Sequence, residues 1–138
     1  MKKKSASFEL RKVIFERLNA VGITLYTTAP NEPIYPIAQL ESVSFVDSSD
    51  KTEFNDIAEV EIQILDRFNI GTATWNNIDT LAETIIGEIV DRGNYLSLTG
   101  WKVVTSKLAS DFATKFSNEG YIYLIRTLRF EFFVENLI

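Results

Sequence analysis

The chain has 138 residues, 46% hydrophobic and 24% charged, with 14 basic against 19 acidic side chains and a net charge of -5. That is the size of one ordinary domain with enough apolar material for a packed core, and the acidic balance argues against general nucleic-acid binding. Cysteine and histidine are both absent, which excludes disulfides, thiolate chemistry, zinc-thiolate sites and every imidazole-based acid, base or metal ligand.

The start, Met1-Lys2-Lys3-Lys4, is basic but leads into a charged amphipathic stretch rather than an apolar one. Residues 1–6 therefore read as a flexible basic arm and not a signal peptide, and the chain is expected to stay in the compartment where it is made. No apolar run reaches the roughly 18 residues of a membrane span. Ser5 to Ala20 reads as a helix, with Leu10, Val13, Ile14 and Leu18 in one stripe, Phe8 and Phe15 on another side, and Gly22 as its stop. Ile23 to Tyr26 is a short strand. Thr27 to Pro36 is a loop, because Pro30, Pro33 and Pro36 forbid regular pairing.

Ile37 to Val46 is a strand in which neither parity is cleanly apolar. Asp47 to Asp56 is polar and reads as a hairpin tip. Ile57 to Leu65 is the clearest strand: Val60, Ile62 and Ile64 point one way, Glu59, Glu61 and Gln63 the other. Thr74 to Arg92 is a second helix with Ile78, Leu81, Ala82, Ile85 and Ile89 on one face. Thr74, Asn76 or Asn77 caps it and Gly93 ends it. Trp101 to Leu108 is a strand, Ser110 to Gly120 a connecting loop, and Tyr121 to Val134 a long final strand. Neighbouring strands grouped between helices point to an α+β domain spanning 1–138. Its sheet is largely antiparallel or mixed, of four to five strands, packed with two main helices and carrying a protruding hairpin.

The final strand is apolar on both sides. Ile122, Leu124, Leu128, Phe130 and Phe132 form one face, while Tyr121, Tyr123, Ile125 and Phe133 largely occupy the other. Two helices cover one face of a small sheet, so the second face calls for a partner subunit unless the helices split across the two faces. Chemical signatures are weak by comparison. The run Asp47-Ser48-Ser49-Asp50-Lys51-Thr52-Glu53 lacks the glycine and terminal glutamate of a calcium loop, and Glu59 with Glu61 has no adjoining pocket. The glycines form no phosphate loop. Tyr121 and Tyr123 with Arg126 and Arg129 resemble a single-strand platform, and Lys2, Lys3 and Lys4 are a possible partner or DNA contact. Trp75 and Trp101 read as packing residues. No enzyme, cofactor, metal or small-molecule signature emerges.

Taken in order, several segments resemble the phage tail-completion family, which includes the tail terminators of long-tailed phages. They are the helix Leu10 to Leu18, the Pro-rich loop ending in Tyr35-Pro36, the strand Val60 to Leu65 running into Asp66-Arg67-Phe68, the helix Ile78 to Val90, Gly100-Trp101-Lys102-Val103-Val104, and the closing strand Leu124 to Phe133. The family often carries a tryptophan where Asp66-Arg67-Phe68 stands. The resemblance implies a subunit without catalytic residues that forms a ring, commonly a hexamer, at the head–tail junction of a virion made in the host bacterial cytoplasm. Such a ring stops growth of the tail tube, contacts tail tube protein and the head connector or neck proteins, and meets DNA only in its lumen. A neck or head-completion ring is the alternative within the class, and a small nucleic-acid-binding module the alternative outside it. The expected subunit contacts are Asp47, Asp50, Lys51, Glu53 and Phe54 of the hairpin, with Tyr121, Tyr123, Ile125 and Phe133 of the last strand. Phe54, the one aromatic of the tip, either buries against a neighbour or folds back onto its own sheet.

Overall fold

The computed structural model describes residues 6–47, 55–91 and 96–136. Helix α1 (Ala6–Ala20) turns Leu10, Ile14 and Leu18, each fully buried, onto the sheet. Its stop is the expected one. Gly22 takes φ +84°, its N–H donates to the Asn19 carbonyl at 3.1 Å, and the Ile23 N–H donates to Leu18 at 2.9 Å. These two bonds are the pair that closes a helix around a left-handed glycine, and the buried Ile23 and Leu18 supply the accompanying apolar contact.

Strand β1 (Leu25–Tyr26) runs parallel to β2 (Ile37–Asp47), meeting it at Ala38 and Gln39. The Pro-rich segment between them supplies the crossover that a parallel pair needs. A bulge between Leu40 and Ser42 explains why β2 shows no clean alternation in sequence. Ala38 and Leu40 face the core before it, and Val43 and Phe45 after it, so the inward parity changes within one strand.

Strand β3 (Asn55–Asn69) pairs antiparallel with β2, and the backbone pairing extends to Asp47 opposite Asp56. The rest of the predicted tip, including Asp50, Lys51, Glu53 and Phe54, lies outside the described residues, as do Lys2, Lys3 and Lys4. Helix α2 (Asn76–Ile86) is shorter than predicted: it gives way to a π-helical turn, Gly87–Asp91. Ile85, in the last turn of α2, and Ile89, within the π-turn, are both fully buried. Gly93, the expected terminator, lies outside the described residues.

The largest departure from expectation is at 110–120. Instead of a connecting loop, Ser110 to Asn118 continues strand β5 (Trp101–Asn118), which follows the short β4 (Ser97–Leu98) and pairs along its length with β6 (Tyr121–Asn136). Only Glu119 and Gly120 form the connection, at φ 51° and 85°. Positive φ at both central positions is what a tight type I′ hairpin demands. Two bulges, at Val103/Thr105 and Leu108/Ser110, shift the inward parity of β5 and hide its alternation.

The result is an α+β domain with a six-stranded, mixed, strongly curled sheet in the order β1-β2-β3-β6-β5-β4. Two of the six strands are only two residues long, which accounts for the excess over the expected four to five. Ala58, Val60, Ile62 and Ile64 of β3 and Leu128, Phe130, Phe132 and Val134 of β6 form one core with Leu10, Ile14, Leu18, Ile78, Ala82, Ile85 and Ile89. Both helices therefore pack on the same face. Trp75 and Trp101 pack at the margin of that core, as their size suggested.

Candidate interaction surface

With both helices on the inner face, the outer face of the sheet has no element of the described chain against it. Strand register lays out its rows. Ile57 faces Phe133, then Glu59 faces Glu131, Glu61 faces Arg129, Gln63 faces Thr127, Leu65 faces Ile125, Arg67 faces Tyr123 and Asn69 faces Tyr121. Strand β5 adds Lys107 beside Glu131, Phe112 beside Thr127 and Phe116 beside Tyr123.

The surface has three zones. At the end where Tyr121 begins β6, it is aromatic. Phe116 stacks on Tyr123 with ring centroids 4.9 Å apart and planes 7° from parallel. Arg67 lies over the Tyr121 ring at 4.5 Å and over the Tyr35 ring at 5.0 Å, a cation–π arrangement reached from the end of the Pro-rich loop. Phe112 and Phe116 remain 50% and 47% exposed, although both are large apolar groups. The middle is charged and self-paired: Arg129 donates to Glu61 at 2.9 Å and Lys107 stands 3.5 Å from Glu131. At the far end, Ile57 and Phe133 form a second, half-buried apolar pair.

Of the residues predicted as contacts, Tyr121, Tyr123 and Ile125 come together in the aromatic zone, while Phe133 sits at the opposite end of the same face. The sequence reading missed Phe112, Phe116, Arg67 and Tyr35. The recurrence of phenylalanine four positions apart in 112–116, followed by alternating aromatics from Tyr121, was the signal for two strands sharing a face. The single-strand platform does not form as a unit. Arg126 lies on the inner face, donating to Asp111 at 2.9 and 2.7 Å and to Asp79 at 2.9 Å, and Arg129 is committed to Glu61. Hydrogen bonding to Asp111, opposed by burial and aided by the charges of Asp111 and Asp79, raises the Arg126 pKa above its ordinary value. Glu59 and Glu61 do point outward.

Inside, Asp66 is buried opposite Leu124. Its Oδ1 accepts the Arg67 amide N–H at 2.8 Å, and its Oδ2 has no partner among the described residues. Burial pushes its pKa up, against the pull of the Arg67 amide and the Asn77 side chain. Among the described residues no group of three or more acidic side chains is placed to hold a metal, and no helix is long and apolar enough to cross a membrane. A groove of about 620 Å³ lies between α2 and the β1–β2 crossover, lined by Tyr26, Ile34, Pro36, Thr80 and Leu81 among others. Its lining holds hydroxyl groups but no carboxylate, amine or guanidinium among the described residues.

No family model matches the sequence, and no curated protein matches it. A solved structure does match in shape. A chain in "Virion of native gene transfer agent (GTA) particle" superposes with a TM-score of 0.75 at 20% identity, covering 96% of this chain and 100% of that chain. At that identity the likeness establishes that the two share a fold along essentially their whole lengths: the two helices and the curled six-stranded sheet are the fold of a chain found in a virion.

Proposed function

We propose that this chain is a structural subunit of a phage-like virion, and that it assembles through the outer face of its sheet into a homo-oligomeric ring at the head–tail junction. The observation that carries this reading is the uncovered outer face. Both helices pack on one side of the sheet, which leaves Phe112, Phe116 and Tyr121 exposed with Tyr123 half-buried beside them, and contiguous exposed aromatics of this kind mark contact surfaces. The shared fold with a virion chain and the ordered resemblance to tail-completion proteins point to the same class. The specific role we assign is tail terminator: a ring, a hexamer by that resemblance, that caps the tail tube and offers a docking surface to head connector or neck proteins. DNA passes through the lumen, and the net charge of -5 disfavours its adhesion. Tyr121, Tyr123, Ile125 and Phe133 serve as contacts between copies, and the hairpin carrying Asp47, Asp50, Lys51, Glu53 and Phe54 reaches a neighbour.

Electron microscopy of the purified protein tests this, alone and after addition of tail-tube protein. Closed rings with a central opening, stacking on the ends of tubes and halting their growth, are the expected result. A strict monomer at high concentration that leaves tube growth unchanged contradicts it.

A further inference from the structure

Arg67 and Glu59 are two outer-face charges without an ionic partner among the described residues, toward opposite ends of one strand. Arg67 lies over the rings of Tyr121 and Tyr35, and no carboxylate of the described residues comes within ion-pairing distance. Contact with two rings restricts where the guanidinium can go and leaves its N–H donors for another group. The planar fork of an arginine is matched best by a carboxylate. Glu59, eight residues earlier on the same face of β3, is the counterpart. It stands directly opposite Glu131, whose own cation is Lys107 at 3.5 Å, so two like charges face each other with one base between them.

Eight residues of strand separate the two groups by about 27 Å, so they cannot meet within one copy. Each has apolar company. Leu65, Tyr121, Tyr123 and Ile125 surround Arg67, and Ile57 with Phe133 flanks Glu59. One end is an apolar patch with a spare base; the other is an apolar patch with Glu59 as a spare acid, beyond which Lys102 and Glu135 face each other and leave that end acidic on balance.

We propose that the Arg67 end of the outer face docks on the Glu59 end of a second copy, with Arg67 pairing with Glu59 across the contact. This rests on the reading of the outer face as a self-assembly surface and names its register. The occupant is another copy because every copy carries both complementary halves. A contact joining unlike halves leaves one free half on each side, which further copies satisfy until the chain of contacts closes.

Charge reversal tests the pairing. Arg67→Glu, Glu59→Arg, the double reversal and an equimolar mixture of the two single variants are compared with the unaltered protein by sedimentation velocity across a concentration series. Thermal melts verify that each folds. Each single reversal should weaken association at least tenfold, since it sets like charges against each other. The double reversal and the mixture should both recover most of that loss. Should a reversal unfold the chain, Arg67→Gln and Glu59→Gln are used, and the double variant should then associate no more weakly than either single one. Single variants that assemble like the unaltered protein, or a double variant and mixture that stay as weak as the singles, overturn the pairing while leaving the ring intact. An unaltered protein that remains monomeric at every concentration overturns both the pairing and the assembly reading beneath it.

Discussion

Asp66 and Arg126 carry the polar chemistry beneath the start of α2, and they do it differently. Arg126 is satisfied by two carboxylates, tying α2 through Asp79 to β5 through Asp111. Arg126→Ala strands that pair of acids beside each other, and stability should fall by about 2 kcal/mol, within the range for hydrogen bonds to charged groups. Denaturant titration measures it, and a change within 0.5 kcal/mol, about the scatter of ordinary surface substitutions, contradicts the tie. Asp66, buried with one carboxylate oxygen lacking a donor, is a liability instead. Its folded pKa lies above its unfolded one, so the folded state holds the proton more tightly. Its contribution is therefore most favourable below the unfolded carboxyl value and is lost as pH rises through the folded value. Asp66→Asn removes the charge and keeps an acceptor for the Arg67 amide. It should raise stability at neutral pH because the desolvated charge is gone, the amide nitrogen being no better partnered than the Oδ2 it replaces, and the gain should shrink on acidification toward pH 4. Melting curves across that range check the sign; a variant less stable than the parent at pH 7 contradicts it.

Strands β5 and β6 decide what the protein shows to the outside, and the turn between them is the narrowest point of their design. Glu119 and Gly120 both hold positive φ, so Gly120→Ala should cost about 1 kcal/mol through backbone strain alone, since a Cβ there meets no other atom within 4 Å. Chemical denaturation of the variant measures this. The same hairpin shows why some elements were legible in sequence and others were not. Strand β3 is regular and has one wet face, so Val60, Ile62 and Ile64 alternate with Glu59, Glu61 and Gln63 and declare both strand and orientation. Helix α1 announces its end with Gly22. Strand β5 carries two bulges that break its period, and beyond the second both of its faces are exposed, so only the recurrence of Phe112 and Phe116 is left of an apolar alternation. The polar stretch from Ser110 to Asn118 thus passes for a loop. In β2 a single bulge has the same effect on facing. Of the candidate surface, Tyr121, Tyr123 and Ile125 were visible because β6 is regular. Phe112 and Phe116 were lost with β5, and Arg67 with Tyr35 meet only through the fold.

At the scale of the molecule, the helices and the core occupy one face of the curled sheet, and no element of the described residues covers the other. A face that serves assembly and not stability responds to substitution in a characteristic way. Phe112→Ser should leave the melting of the isolated subunit nearly unchanged, within about 0.5 kcal/mol as for exposed positions generally, while weakening association. With no histidine in the chain, association should also vary little between pH 6 and 8, because no side chain with an ordinary pKa titrates there; light scattering across that interval checks it. The central claim is that copies of this protein bury the outer face against one another, and hydroxyl-radical footprinting reads that burial side chain by side chain. In dilute solution Phe112, Phe116 and Tyr121 should oxidise readily, as their exposure dictates. In the assembled protein their oxidation should fall several-fold while Phe8, exposed on α1 on the other side of the sheet, keeps its rate. An assembled protein in which Phe112, Phe116 and Tyr121 oxidise as fast as in the monomer would place the contact elsewhere and contradict the account.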